Sequence, residues 1–347
     1  MNKINKSPFI VAEVSANHNG SINHAKKIIK LAKKSGADAV KLQTYTPDTI
    51  TVNSKKKDFL IKSGIWKGFS LWQLYEKAQT PFEWQKELFE YSKKIKILCF
   101  STPFDETAVD LLEKIKCPIY KVASFEINHL PLIKKIALTK KPMIISTGTS
   151  NLKEIDLAVK TAKNFGAKDI TILYCVSNYP SLENDFNLNN IKILKKRYNC
   201  KIGFSDHSKN SKMAHLAAIS GAEVFERHLA LQNQKKGFDI KFSSKGKDFS
   251  NYVKDVKYAF KLLGKNFFYR SNSEKQNIKF KRSIYTVKKI AKNERFTKKN
   301  IKIIRPGYGV NPIYYDKILN KKSPISINEF QKIDKKILKK LKIKLTI

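Results

Sequence analysis

An α/β fold, a barrel of eight parallel strands followed by a smaller C-terminal domain, is what the sequence predicts, and three observations predict it. Eight short apolar runs recur between residues 9 and 231 at the spacing of a helix plus a strand. Amphipathic helical patterns lie between the runs, the alternation that marks a parallel sheet. Each run also ends on a polar or charged cluster. If the strands close into a (β/α)8 (TIM) barrel, every such tip falls on one rim, the C-terminal face on which these barrels hold their active sites. The pattern points to an enzyme before any motif is weighed.

The runs, in order, are FIVAEVSANHNG (9–20), ADAVKLQTY (37–45), KILCFSTPFD (96–105), PIYKVASFEI (118–127), PMIISTG (142–148), ITILYCVSNYP (170–180), KIGFSDHS (201–208) and VFERHLAL (224–231). Their bodies are rich in Val, Ile, Phe and Ala, as strands covered on both faces are. The helical segment 22–36 sets Ala25, Ile28, Ile29 and Ala32 on one stripe and stops at Gly36, a C-terminal cap signal. Segments 105–116, 156–166, 187–198 and 211–221 repeat this logic. A longer insert, 58–94, carries all three tryptophans, Trp66, Trp72 and Trp84, and is expected to form a lid or a subunit contact. The alternation stops after 251–264. The predicted organisation is a barrel over 1–265, a polar linker over 266–282 and a second domain over 283–347, with short strands and a Pro-Gly-x-Gly loop. The basic tail 332–347 is expected to be a solvated end.

Composition narrows the class. The formal net charge is +40 at pH 7, yet only six of the 69 basic residues are arginine. Nucleic-acid readers favour arginine for bidentate and stacking contacts, and the lysines here are scattered. Solvated, lysine-rich helix faces account for the charge better than nucleic-acid binding does, while a positive field would still draw an anionic substrate. The four cysteines form no CxxC pair and no disulfide framework. No apolar run is long enough to span a bilayer or to serve as a secretory leader, so a cytoplasmic protein with no membrane insertion is expected.

Two constellations carry chemistry. His207 and His228 follow consecutive strands and can converge on neighbouring rim positions. Two imidazoles completed by water and substrate oxygens suit Mn2+ or Mg2+, which could polarise a carbonyl. From the residues alone, a catalytic histidine beside a structural one fits equally well. The second group is Lys41, Thr102, Lys121, Ser124, Ser146 and Ser205, all at strand ends. Lysines in apolar strands are costly unless paired, and with hydroxyl donors they make a pocket for phosphate and carboxylate. The competing reading pairs each lysine with Glu13 or Glu126, the rim carboxylates otherwise available for proton transfer or for sugar hydroxyls. Asp239 could support a metal from behind. Asn17, His18 and Gln43 are further rim candidates. Arg305 sits on the turn RPGYG, alone a weak signal.

The ordered motifs EVSANHNG, VKLQTY, STPFD, YKVASFE, IISTG, NYP, GFSDH, ERH and RPGYG resemble the sialic acid synthase family, phosphoenolpyruvate-dependent nonulosonate synthases. The resemblance spans nearly the whole chain. It implies a barrel with a C-terminal antifreeze-like (SAF, β-clip) domain and a domain-swapped homodimer. It also implies that phosphoenolpyruvate is held by Lys41, Thr102, Lys121, Ser124, Ser146 and Ser205, and the metal by His207 and His228, with Asp239 nearby. Glu13 would face the reacting centre. Asn17, Gln43, Glu126, Ser177, Tyr179 and Asp239 fall on the side of an N-acetylated amino sugar, and Arg305 would act on it from the partner subunit. The segment 70–88, Ser177 where N-acetylneuraminate synthases usually carry Asn, DIKFSS (239–244) and FKRSIY (280–285) resemble the pseudaminic acid branch. The implied sugar is 2,4-diacetamido-2,4,6-trideoxy-altrose in its open form. The chain departs from the usual pattern in having GFD for GPD before Asp239. The alternatives are an N-acetylneuraminate or legionaminate synthase and, from another class, a basic nucleic-acid-binding protein.

Overall fold

The structure, a computed structural model, describes residues 7–210, 212–264 and 267–345. The first six residues, residue 211, residues 265 and 266 and the last two of the basic tail lie outside them. All eight expected strands form: β1 (Phe9–Glu13), β2 (Ala39–Thr44), β3 (Leu98–Pro103), β4 (Tyr120–Val122), β5 (Met143–Ser146), β6 (Ile170–Cys175), β7 (Lys201–Asp206) and β8 (Val224–Ala230). Each pairs in parallel with its successor, and β1 also pairs in parallel with β8. The eight strands thereby close into a barrel. A short β9 (Ser244–Lys245) continues the pairing beyond the end of β8.

Helices cover the outside of the barrel. The helix Ile22–Lys34 buries the stripe read from the sequence, Ala25, Ile28, Ile29 and Ala32. Ser21 caps its first turn by accepting the His24 N–H. Asp105, at the tip of the third run, spends its carboxylate capping Glu106–Lys114 through the N–H groups of Thr107 and Ala108. Strands β6 and β8 are buried at every position because side chains meet the barrel interior on one face and helices on the other.

The chain divides into two units, Met1–Asn266 and Phe267–Ile347. Residues 267–282, read from the sequence as linker, group with the second unit and hold two short helical turns, Asn272–Lys275 and Gln276–Phe280. The second unit pairs β10 (Ser283–Thr286) with β11 (Ile301–Ile304) antiparallel. Its core gathers Ile284, Ile290, Phe296, Ile301, Tyr314 and Ile318. The tail departs from its reading as a solvated end. Asp334 caps the helix Lys335–Lys340, and Ile333, Ile337 and Leu338 enter the core. The apolar side chains of this stretch share one face while the lysines take the other.

One glycine reports how tightly the barrel is closed. A Cβ at Gly203 on β7 would lie 2.4 Å from both Leu173 Cδ2 and Val224 O. Overpacking of this kind costs about 1–3 kcal/mol. Gly203→Ala is therefore expected to lower the stability measured by urea unfolding by about 2 kcal/mol, and an unchanged midpoint would contradict the close approach.

Candidate active site

The register of the barrel brings a buried charge cluster to its C-terminal end. Glu13 is paired in register with Lys41 on β2 and with His228 on β8. Lys41 is ion-paired to Glu13 and, at 3.5 Å, to Glu226, and its ammonium donates to Thr102 Oγ1 at 3.2 Å. Ser205 donates to Glu226 Oε1 at 3.3 Å. Lys121, on β4, donates to the Val122 carbonyl at 3.0 Å. Glu13, Lys41, Thr102, Lys121, Ser205 and Glu226 are all buried.

Burial and mutual charge set these groups apart. Burial raises Glu13 to about 7 against the pull of Lys41. Glu226 is equally desolvated, yet Lys41, Lys121 and His207 together hold it below the usual carboxylate range. Lys41 is desolvated too, but Glu13 and Glu226 keep it above its ordinary value, whereas burial prevails at Lys121 and lowers it. Two neighbouring carboxylates pushed in opposite directions are the arrangement that lets one hold a proton while the other stays ionised.

A hydroxyl-bearing wall adjoins this cluster. Ser124 Oγ lies 3.1 Å from Cys175 Sγ and accepts the Gly148 N–H at 3.2 Å. A Cβ at Gly148 would fall 1.9 Å from Ser177 Oγ and 2.8 Å from Ser124 Oγ, so only glycine lets the backbone reach both serines. Ser146 is buried at the end of β5.

The opposite wall is made of rings. His207 and His228 have ring centroids 5.5 Å apart. Phe242 lies against both, at 6.2 and 4.8 Å, and Tyr179 lies 4.5 Å from His207. The Val176 carbonyl is 3.1 Å from His207 Nδ1. A carbonyl can only accept, so the proton sits on Nδ1 and the lone pair on Nε2. Burial lowers both histidines, against that carbonyl at His207 and with His207 and Lys41 adding to it at His228, so both rings are neutral near pH 7.

Comparison with known proteins places this geometry. The family model described as "NeuB family" matches residues 28–267. The chain belongs to the NeuB family. It is 42% identical over 318 residues to the pseudaminic acid synthase of Campylobacter jejuni, covering 92% of this chain and 93% of that one. It is also 42% identical over 318 residues to the pseudaminic acid synthase of Helicobacter pylori, at 91% and 93%. Among solved structures, the N-acetylneuraminic acid synthetase of Leptospira borgpetersenii superposes with a TM-score of 0.71 at 32% identity, covering 80% of this chain and 94% of that one.

In this NeuB chain the remaining candidates lie as follows. Asn17 donates to the Leu229 carbonyl at 3.0 Å and to Ser243 Oγ at 2.7 Å, and Gln43 donates to Ser15 Oγ at 2.9 Å, so both brace loops at the rim. Asp239 accepts the Ala16 N–H at 3.3 Å and stands 3.7 Å from His228 Nδ1. His18 is buried, which lowers it to about 4, and it accepts the Gly20 N–H at Nδ1. Glu126 ends the short helical turn Ser124–Glu126, where burial raises it to about 7 against the pull of Lys121. Arg305 is exposed in the second unit, just after β11.

Sequence reasoning missed three residues. Glu226 completes the charge cluster, and Asp206 and Arg227, paired in register on β7 and β8, form a buried ion pair. Arg227 also donates to Ser244 Oγ and to the Ser208 carbonyl, and its guanidinium lies 5.0 Å from the Tyr252 ring centre. The available signal was charge inside otherwise apolar strands, in VFERHLAL and GFSDHS.

The residues present fit a divalent cation. His228 Nδ1 is buried without a hydrogen-bond partner, His207 has a directed lone pair, and both imidazoles are neutral. Among the described residues no group of three His, Cys, Asp or Glu side chains is set to hold a metal. An ion here would take two nitrogens from the protein and its other ligands from water and substrate.

Glu126 yields a pH prediction. Its native pKa of about 7 lies above the unfolded value of 4.5, so its contribution to stability is full below pH 4.5 and is lost as pH rises through 7. Glu126→Gln and wild type should unfold at similar urea concentrations at pH 5, with the variant more stable at pH 8. A gap that fails to widen with pH would refute the buried, protonated carboxyl.

Proposed function

We propose that this chain condenses phosphoenolpyruvate with open-chain 2,4-diacetamido-2,4,6-trideoxy-altrose, giving pseudaminic acid and phosphate. The observation that carries the reading is the rim itself, a buried cluster of lysine, serine and threonine beside paired neutral histidines, in a chain 42% identical to pseudaminic acid synthases. In the reaction, C3 of phosphoenolpyruvate bonds to the sugar's aldehyde carbon, water adds at C2, and phosphate leaves with C–O cleavage. Lys41, Thr102, Lys121, Ser124, Ser146 and Ser205 bind the phosphate and carboxylate of phosphoenolpyruvate through their ammonium and hydroxyl groups. Glu13, with its pKa near 7, holds and exchanges a proton at the reacting centre near neutral pH. Asn17, Gln43, Glu126, Ser177, Tyr179 and Asp239 orient the sugar. Mn2+ or Mg2+ bound by His207 and His228 would supply Lewis acidity at the aldehyde oxygen.

The second unit, in this reading, is an antifreeze-like SAF domain, residues 283–347. In a domain-swapped homodimer it lends Arg305 to the partner's barrel, where it meets the sugar's acyl-amino group. The turn RPGYG supports this assignment. No described helix is long and apolar enough to cross a membrane, and the chemistry calls for a cytoplasmic enzyme that meets phosphoenolpyruvate directly.

The test is phosphate release with Mn2+, phosphoenolpyruvate and a panel of N-acetylated amino sugars, the product identified by mass. Release with the 2,4,6-trideoxy sugar is expected, and release only with N-acetylmannosamine would move the chain to the N-acetylneuraminate branch. His207→Ala should lower turnover at least about 100-fold while thermal unfolding stays close to wild type, and wild-type turnover would refute the assignment. Arg305→Ala should raise KM for the sugar about tenfold and leave KM for phosphoenolpyruvate nearly unchanged. An equal rise in both would contradict its role.

A further inference from the structure

The insert between β2 and β3 builds a structure over the ring-lined wall. Residues Ile61 to Phe69 fold back on themselves. The Ile61 N–H donates to the Phe69 carbonyl at 2.9 Å, and the Gly68 N–H donates to the Ile61 carbonyl at 3.1 Å. Gly64 and Gly68 have φ of +80° and +96°, the left-handed conformations that allow so tight a reversal. Trp66 lies in this loop, half-buried, and its indole N–H donates to the Phe238 carbonyl at 3.0 Å. Its ring lies 5.9 Å from Tyr179 and 6.4 Å from Phe242, the rings that pack on the two histidines. Phe69 meets Phe238 at 6.0 Å, a second attachment to the residue whose carbonyl Trp66 engages.

We propose that Trp66 determines specificity, its indole forming the wall against which the deoxygenated C6 end of the amino sugar packs. This rests on the sugar proposed above. The histidine pair marks the aldehyde end, and Tyr179 stands 4.5 Å from His207 with Trp66 one ring further out. An extended carbon chain advances roughly 1.2 Å per bond, so C6 lies about 6 Å from C1, within reach of the outer ring. At the outer ring the Trp66 N–H is already engaged by the Phe238 carbonyl, and neither the indole face nor the Phe242 ring offers a hydroxyl a partner. A methyl group gains dispersion and burial on such a surface, whereas a buried hydroxyl would lose its water without a partner.

Wild type, Trp66→Ala and Trp66→Phe are compared in kcat/KM for the 6-deoxy sugar and its 6-hydroxy counterpart. The affinities of the two matching alditols, which lack the aldehyde and cannot react, are measured by calorimetry. Wild type should prefer the 6-deoxy compound about 10- to 100-fold in kcat/KM. Trp66→Ala should bring the preference to within about threefold of unity in both measurements, with KM for phosphoenolpyruvate within about twofold of wild type. Trp66→Phe should restore most of it. A preference unchanged in Trp66→Ala, or a parallel rise in KM for phosphoenolpyruvate in both variants, overturns the proposal while leaving the reaction standing. Wild type that releases phosphate with neither sugar overturns both.

Discussion

Burying four charged groups together at the end of a closed parallel barrel is the constraint on which the rest of this structure depends. Lys41, Lys121, Glu13 and Glu226 come from four different strands and none is exposed. An isolated charge in such a place is prohibitively costly, and a buried pair holds only when its geometry is good and its remaining valences are met. Register is thereby fixed. A slip of one residue in β2 would turn Lys41 from the barrel interior toward the helices and leave Glu13 and Glu226 unneutralised. The cluster that makes a chemical site also specifies the strand pairing.

A second ion pair acts on the outer side of the same strands. Asp206 and Arg227 each immediately precede a rim histidine, and side chains alternate along a strand. The pair thus ties β7 to β8 from behind while His207 and His228 face the mouth. Arg227 extends the tie to Ser244, Ser208 and the Tyr252 ring, so the helix Gly246–Leu263 is braced against the strand ends. Removing one partner of such a pair typically costs about 3–5 kcal/mol. The histidines are held by packing on both sides.

Much of this was legible in the chain. A parallel barrel leaves a plain trace, apolar bodies with polar tips, because both faces of each strand are covered while the tips meet solvent or substrate. Lys41 and Lys121 stood out because lysine is rarely buried without a purpose. What the sequence could not reveal was which carboxylate each lysine meets. Glu13 was a natural partner for Lys41, but Glu226 lies 185 positions away and reaches it only because β8 closes against β1. Asp206 and Arg227 were hidden for the same reason. The tail misled in a different way. Its lysines dominate the composition, and the spacing of Ile333, Ile337 and Leu338 emerges only once those lysines are assigned to one face of a helix.

The close approach at Gly148 has an evolutionary consequence. Ser124, Gly148 and Ser177 share one small volume, in which a single added carbon at 148 would overlap the Ser177 hydroxyl. Substitutions at these positions are therefore epistatic. A bulkier side chain in place of Ser177 must be accommodated against a backbone already in contact with the present side chain, and without displacing Ser124. A change at position 177 is in these terms a coordinated repacking of three loops, and replacing that one residue alone should be poorly tolerated.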